Sequence, residues 1–186
     1  MTLVGAILHG GRSSRMGTDK AFVVVEGLPM RDHVRTLLQQ VCTRVVQVGG
    51  VVPGGVADIV DAGDGPFGAV LALLSSGIAE RYLVCAVDQP FMSVEVLQPL
   101  IDADSEGVSW EHEPLPVCLH VSALPRLSAL YANDERRLSA LSTTTLPFLS
   151  ASDASGGTQW HHQWHHQRHL QLRHQLRNLN RPEDLL

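Results

Sequence analysis

Leu8-His9-Gly10-Gly11-Arg12-Ser13-Ser14-Arg15-Met16-Gly17-Thr18-Asp19-Lys20 follows directly on an apolar run, Leu3-Val4-Gly5-Ala6-Ile7-Leu8, of the length of one buried strand. Adjacent glycines let backbone N–H groups approach an anion closely, and Ser13, Ser14, Thr18, Arg12, Arg15 and Lys20 add hydroxyls and positive charge. A strand that opens into such a loop points to phosphate binding at the edge of an α/β sheet. The loop departs from the Walker pattern, since Lys20 stands three residues after Gly17, and it lacks G-x-G-x-x-G spacing.

The 186 residues are 44% hydrophobic with a formal charge of −5, enough for one sizeable core and short for two. One domain spanning residues 1–186 is expected. A mildly acidic chain is not built for bulk nucleic acid, so the basic residues near its start read as a local anion site. Cys42, Cys85 and Cys118 are odd in number and widely spaced, which suits a reducing cytoplasm and neither a disulfide framework nor a cysteine zinc site. The first apolar run is too short for a signal peptide or a membrane span, and a soluble cytoplasmic protein is expected.

Downstream, Ala21–Val25 reads as a short strand ending in a Glu26-Gly27 turn, and Pro29 suits the first turn of a helix. Met30, Val34, Leu37, Leu38 and Val41 then recur at helical spacing and lead to the β-branched strand Arg44–Val48. Strand, helix, strand is the unit of a parallel sheet. Val56–Val60 reads as a third strand, a helix carries Phe67, Val70, Leu71 and Leu74, and Tyr82–Val87 is apolar enough for a central strand. A helix capped by Ser93 should be kinked or shortened by Pro99; Pro116–Val121 is a further strand, and Ala123–Leu141 holds one or two helices interrupted near Asn133.

The pattern predicts a single Rossmann-like α/β domain, with a mostly parallel central sheet and helices on both faces. Residues 151–175 stand apart as a mobile, His-rich insert. On a helix His161, His165 and His169 would share a face and could capture a transition metal, but no carboxylate or cysteine joins them, and the reading without a physiological metal site is the stronger.

In open parallel sheets, ligands bind outside the C-terminal strand ends. Three loops should meet there: His9–Lys20, Asp61–Pro66 and Asp88–Pro90. The first brings donors and positive charge, the others carboxylates. Asp88 ends an apolar strand, where a buried charge is costly unless something compensates it. A magnesium ion shared with substrate phosphates would do so, and so would a role as helix cap or turn residue. Asp61, in Asp61-Ala62-Gly63-Asp64-Gly65, is compatible with ordinary turn chemistry too. A basic glycine loop facing metal-binding acids suits a nucleoside triphosphate and phosphoryl or nucleotidyl transfer, which depend on positioning and charge neutralisation.

These residues resemble a known family. Residues 8–21 resemble the L-A-G-G-x-S-x-R-M-G-x-D-K signature of molybdenum cofactor guanylyltransferases, the MobA type within the nucleotidyltransferase (nucleotide-diphospho-sugar transferase-like) fold. Gly65-Pro66-Phe67-Gly68, Cys85-Ala86-Val87-Asp88-Gln89-Pro90-Phe91 and Asn178-Leu179-Asn180-Arg181-Pro182-Glu183-Asp184-Leu185 match three further family segments in order. The resemblance implies transfer of GMP from GTP to the terminal phosphate of molybdopterin, with Mg²⁺ and release of pyrophosphate. By that resemblance Leu8, His9, Gly10, Gly11 and Lys20 fall on the GTP loop, Asp61 on the nucleoside-contacting aspartate and Asp88 on the magnesium aspartate. Arg15 takes a phosphate role by position and charge, and Arg15, Lys20 and Asp88 form the catalytic set. Asn178 and Asn180 match the pterin-side segment, and Arg136 and Arg137 stand where basic residues often precede a helix on the acceptor side.

The implied partners are GTP, molybdopterin, and molybdoenzymes or other cofactor-maturation proteins, without nucleic acid or membrane. The chain departs from the family at His9, where alanine is usual, at Arg181 in place of threonine, and at Val48-Gly49-Gly50, which lacks an asparagine some members carry. Two other readings fit the same residues: a related transferase using CTP or another NTP on a different phosphorylated acceptor, and a non-catalytic nucleotide- or cofactor-binding homologue.

Overall fold

Alternation sorts the side chains of the first strand. In the computed structural model, which describes residues 2–9, 20–49, 51–52, 55–60, 65–110, 113–139, 148–149, 174–179 and 184, β1 (Leu3–Leu8) sends Val4, Ala6 and Leu8 into one apolar cluster and Ile7 into another. Covered on both faces, β1 belongs in the interior of the sheet. A short hairpin, β2 (Val24–Val25) and β3 (Leu28–Pro29), leads into α1 (Met30–Val41) and then β4 (Arg44–Gly49), which lies parallel to β1 with Leu8 opposite Val48. A second hairpin, β5 (Val51–Val52) and β6 (Gly55–Val56), precedes β7 (Ile59–Val60) and α2 (Gly65–Ser75). β8 (Arg81–Ala86) returns to the other side of β1, again parallel, with Leu8 opposite Ala86.

The remaining elements are α3 (Val94–Asp102), β9 (Gly107–Trp110), β10 (Glu113–His120), α4 (Leu124–Ala132) and β11 (Phe148–Leu149). The main sheet has seven described strands in the order β11-β9-β10-β8-β1-β4-β7, and β10 runs antiparallel to both its neighbours. This is the mostly parallel α/β sheet expected from the sequence. α2 and α4 cover one face with Phe67, Leu73, Leu74 and Leu127; α1 and α3 cover the other with Val34, Leu38, Leu97 and Leu100. Each such fully buried side chain contributes about 1.5–3 kcal/mol of transfer free energy. α1 lies so close over β1 that a Cβ on Gly5 would stand 3.1 Å from both Leu38 Cβ and Cys42 Sγ.

Several local readings are corrected. The expected strand Ala21–Val25 is a single 3-10 turn, Lys20–Phe22, followed by the β2–β3 hairpin outside the main sheet. Glu26 and Gly27, with φ of 48° and 85°, make its two-residue turn, so the chain reverses before it can join β1. The expected strand Val56–Val60 is split, because the Asp58 carboxylate accepts the Gln47 N–H at 2.7 Å and pairing with β4 begins only at Ile59. Pro99 does not shorten α3, which runs on to Asp102; the carbonyl its missing N–H would have reached belongs to exposed Glu95, open to water. β9 was not legible, since Gly107 and Ser109 mask a fully buried strand whose Trp110 donates Nε1–H to the Val96 carbonyl at 3.1 Å. The 151–173 stretch, with His161–His169, lies outside the described residues.

No described helix is long and apolar enough to cross a membrane. All three cysteines are free. Burial pushes the Cys42 thiol up to about 12, helped by Cys118, and burial likewise raises Cys85. Cys118 is raised by burial against the opposing pull of Arg81, whose Nη2 lies 3.3 Å from its sulfur and whose guanidinium also caps α3 through the Ile101 and Ala103 carbonyls. The folded protein should therefore react slowly with a disulfide reagent such as DTNB at pH 8, and all three thiols should titrate at once in guanidinium chloride. Thiols of the unfolded chain ionise near 9 while the folded ones resist, so stability should be full below pH 9 and fall as pH rises above it. Urea midpoints measured between pH 7 and 10.5 check that slope.

Candidate active site

The C-terminal ends of β8, β1 and β4 lie side by side, and the chain leaves β1 and β8 towards opposite ends of the sheet order. That is the switch point at which an open parallel sheet leaves a crevice. Asp88 lies two residues past the end of β8, and Lys20 opens the 3-10 turn that re-enters after the glycine loop. Lys20 Nζ stands 2.9 Å from Asp88 Oδ2, with side chains 19% and 16% exposed. The sequence put these residues 68 positions apart on separate loops, and the fold joins them in a direct ion pair. So little solvent reaches the carboxylate that an isolated charge would be costly there; the ammonium compensates it.

Local structure explains why Lys20 is held in place. Its carbonyl accepts the Val23 N–H at 3.1 Å, and the Val23 carbonyl accepts the Met30 N–H at 2.9 Å, which ties the turn to the first residue of α1. His33 Nε2 lies 2.7 Å from the Val25 carbonyl and pins the hairpin to the same helix. Val25, Met30 and Leu179 form a small buried cluster with Val23 and Phe91 against it. Each member comes from a segment that carries a candidate site residue: Lys20, Asp88 or Asn178.

His9 is 7% exposed, one residue past β1, and its N–H extends the ladder to the Val48 carbonyl at 2.8 Å. The register places it level with the residue before Asp88 on one flank and with Gly49 on the other. Gly49 has φ of +149°, and a Cβ there would come within 2.0 Å of the His9 carbonyl oxygen. The glycine read in the sequence only as a strand end is what permits the two strand ends to close around His9.

The closing motif reaches the same place. The Leu179 N–H donates to the Asp88 carbonyl at 2.9 Å, so Asn178, itself exposed, lies one residue from the aspartate's backbone. Ser93 stands at the N-terminal cap of α3 as expected, but its hydroxyl makes no cap bond; it lies 2.9 Å from Gln175 Oε1 of the closing segment. Arg136 and Arg137 follow α4, whose Tyr131 meets Phe67 of α2 at 5.7 Å between ring centroids. The Arg136 guanidinium folds back over the Tyr131 ring, donates to the Tyr131 carbonyl and pairs with Asp134 at 3.3 Å. It is engaged at its own helix end, not at the Lys20–Asp88 pair. Gly10, Gly11, Arg15, Asp61 and Asn180 lie outside the described residues.

The donor set fits a magnesium ion that arrives with a triphosphate. Magnesium takes one or two carboxylates and keeps waters and phosphate oxygens, and Asp88 offers one carboxylate already placed beside a cation. A dedicated cage would need more, and the described residues contain no group of three or more His, Cys, Asp or Glu side chains able to hold a metal. Sequence reasoning gave Gln89 no role of its own, naming it only within the loop after Asp88. Its one signal is a large amide between an acid and a proline in an otherwise apolar segment.

The sequence pattern of the MobA-like NTP transferase domain matches residues 5–147. The molybdenum cofactor guanylyltransferase of Rhodobacter capsulatus is 31% identical over an alignment that covers 100% of this chain and 94% of that protein. The enzyme of the same name from Xanthomonas euvesicatoria is 36% identical over 126 residues, 66% of each chain. Among solved structures, molybdopterin-guanine dinucleotide biosynthesis protein A from Archaeoglobus fulgidus superposes with a TM-score of 0.71 at 20% identity, covering 98% of this chain and 94% of the other. A Thermus thermophilus 2-C-methyl-D-erythritol 4-phosphate cytidylyltransferase shares the fold at a TM-score of 0.57 and 16% identity, covering 93% and 100%.

Gly49→Ala should lower stability by more than about 2 kcal/mol, because it adds an unfavourable φ to a backbone clash at His9. Thermal unfolding in the presence and absence of GTP reads both effects: a lower Tm and a smaller nucleotide-induced rise.

Proposed function

The chain belongs to the MobA-like NTP transferase family, and from that membership and the Lys20–Asp88 pair we propose that it transfers GMP from GTP to molybdopterin. The product is the guanine dinucleotide form of the cofactor, and pyrophosphate is released. The observation that carries this reading is the ion pair: a cation and a carboxylate brought together at the strand ends where the glycine loop begins and ends.

The reaction needs a phosphate oxygen of the acceptor to form a bond to the α-phosphorus of GTP. The bond from that phosphorus to the bridging oxygen of the β-phosphate breaks in line, and pyrophosphate leaves with the electron pair. Little covalent help is required; charge must be neutralised and the reacting groups aligned. Lys20 supplies an ammonium fixed by the hairpin behind it, placed to pair with triphosphate oxygens, and Arg15 would add a second cation from the same loop. Asp88 would hold Mg²⁺ together with the triphosphate, and the ion when bound supplies Lewis-acid neutralisation of the phosphate oxygens.

On the acceptor side, Asn178, exposed on a segment anchored to Asp88, would meet the acceptor, and Asn180 would extend that surface. Arg136 and Arg137 serve the acceptor only if the first leaves its helix-end contacts. Three free thiols accord with a reducing cytoplasm. His9, larger than the residue usual at this place in the family, bears on base choice, which sets a cytidylyl reading beside the guanylyl one.

Asp88→Asn should keep the fold, since the amide fits the same space, and should cost at least about a hundredfold in kcat through lost charge. Steady-state pyrophosphate release with molybdopterin and Mg²⁺, run with GTP, CTP and ATP in parallel, tests the whole reading. GTP should lead. Preference for CTP would move the protein to the cytidylyl branch, and no release with any nucleotide would leave a binding protein.

A further inference from the structure

Gln89 is 1% exposed and stands next to Asp88. Its Nε2 donates at 3.0 Å to the Leu115 carbonyl and at 3.1 Å to the Leu176 carbonyl. Both amide protons are thereby used, one on each side. The Leu115 carbonyl is available for a reason. The register of β10 against β9 breaks between Glu113 and Val117, and Leu115 sits in the break between Pro114 and Pro116, which have no N–H to give.

Leu176 opens the other half of the arrangement. Residues 174–179 contain only one short helical turn and would drift if left to themselves. They are held by Gln89 at Leu176, by the Asp88 carbonyl at the Leu179 N–H, and by Ser93 at Gln175. Leu176 and Leu179 are buried in two different apolar clusters, and the His174 ring lies 5.2 Å from that of Phe91. Asn178 stays exposed between the two anchors. Its distance from Asp88 is therefore set by the 88–93 loop, and Gln89 is the side chain that joins that loop to both the sheet and the closing segment.

We infer that Gln89 is a positioning residue for the acceptor: it locks the 174–179 segment in register against Asp88, so that the acceptor phosphate meets the nucleotide at the right depth. This rests on the transferase reading above. The consequence is specific. Loss of the Gln89 amide leaves the glycine loop, Lys20 and Asp88 in place and loosens only the acceptor side.

The test uses the full chain with Gln89→Met, which keeps volume and length but donates nothing, and Ser93→Ala, which breaks the clamp from its half-buried rim. Three quantities are read: the KM for molybdopterin at saturating GTP and Mg²⁺, the Kd for GTP without acceptor, and hydrogen exchange across 174–179. A displacement of about an ångström at a reacting group costs up to roughly a hundredfold, so Gln89→Met should raise the acceptor KM by at least about tenfold. Its GTP Kd should stay within about twofold, and the Leu179 N–H should exchange faster as its segment opens. Ser93→Ala should move the same two quantities in the same direction by less.

A folded Gln89→Met protein with wild-type acceptor KM and exchange overturns the inference. So does a parallel loss of GTP and acceptor affinity, the mark of general destabilisation. If Gln89→Met does not fold, Ser93→Ala decides, and unchanged KM and exchange in that variant overturn the inference. If the wild-type protein transfers no nucleotide, the transferase reading fails, and the role in acceptor placement fails with it; exchange in the two variants then still reports whether the clamp exists.

Discussion

A carboxylate placed just beyond the end of a central strand, with its charge compensated by one ammonium, is the constraint on which the rest of this structure depends. β8 is apolar because helices cover it on both faces, and Asp88 is the first acid after it. Such a group demands a partner. Lys20 reaches it only because the chain, after the glycine loop, turns immediately through 20–22 and locks itself to the start of α1. The hairpin that displaced an expected strand is thus the support of the lysine. Had residues 21–25 joined the main sheet, Lys20 would have been carried along a strand direction instead of held at the turn.

The support is shared among segments far apart in sequence. Val25 and Met30 behind Lys20, Phe91 behind Asp88 and Leu179 behind Asn178 meet in one small apolar cluster. Burying these side chains together is worth a few kcal/mol by area, comparable to the whole stability margin of a domain of this kind. Close packing there joins the three segments, and the closing segment's place against the others rests in addition on polar anchors. Hydrogen bonds add direction to that packing. Gln89 and the Asp88 carbonyl fix how far along its own axis the closing segment can slide, which apolar contact alone would leave loose.

Much of this was legible in the sequence and some was not, for identifiable reasons. The parallel units and their helices were readable because Val, Ile and Leu recur with period appropriate to each element, and Pro29 and Ser93 mark the boundaries of α1 and α3. Of the three loops expected to meet, the ends of two do so at Lys20 and Asp88, since strand ends in a parallel sheet are adjacent whatever the loops contain, and residues 61–64 of the third lie outside the described residues. β9 escaped because Gly107 and Ser109 carry no apolar signal, and the split of the third strand escaped because it depends on one long-range bond from Asp58. The function of Gln89 could not be read at all. An amide's value lies in which carbonyls it reaches, and Leu115 and Leu176 are 26 and 87 residues away.

The opposite flank of the crevice is built differently. There the wall is backbone: β1 passes His9 against Gly49 closely enough that no Cβ fits between them. The peptide N–H and C=O groups of that flank are positioned by strand register. The fold itself is shared by a cytidylyltransferase and a molybdopterin-guanine dinucleotide biosynthesis protein. In this chain His9 fills space beside that backbone wall and is itself almost fully buried. Its place is set by the register of β1 against β4, whereas Lys20 and Asp88 meet beyond β8 on the other side of β1.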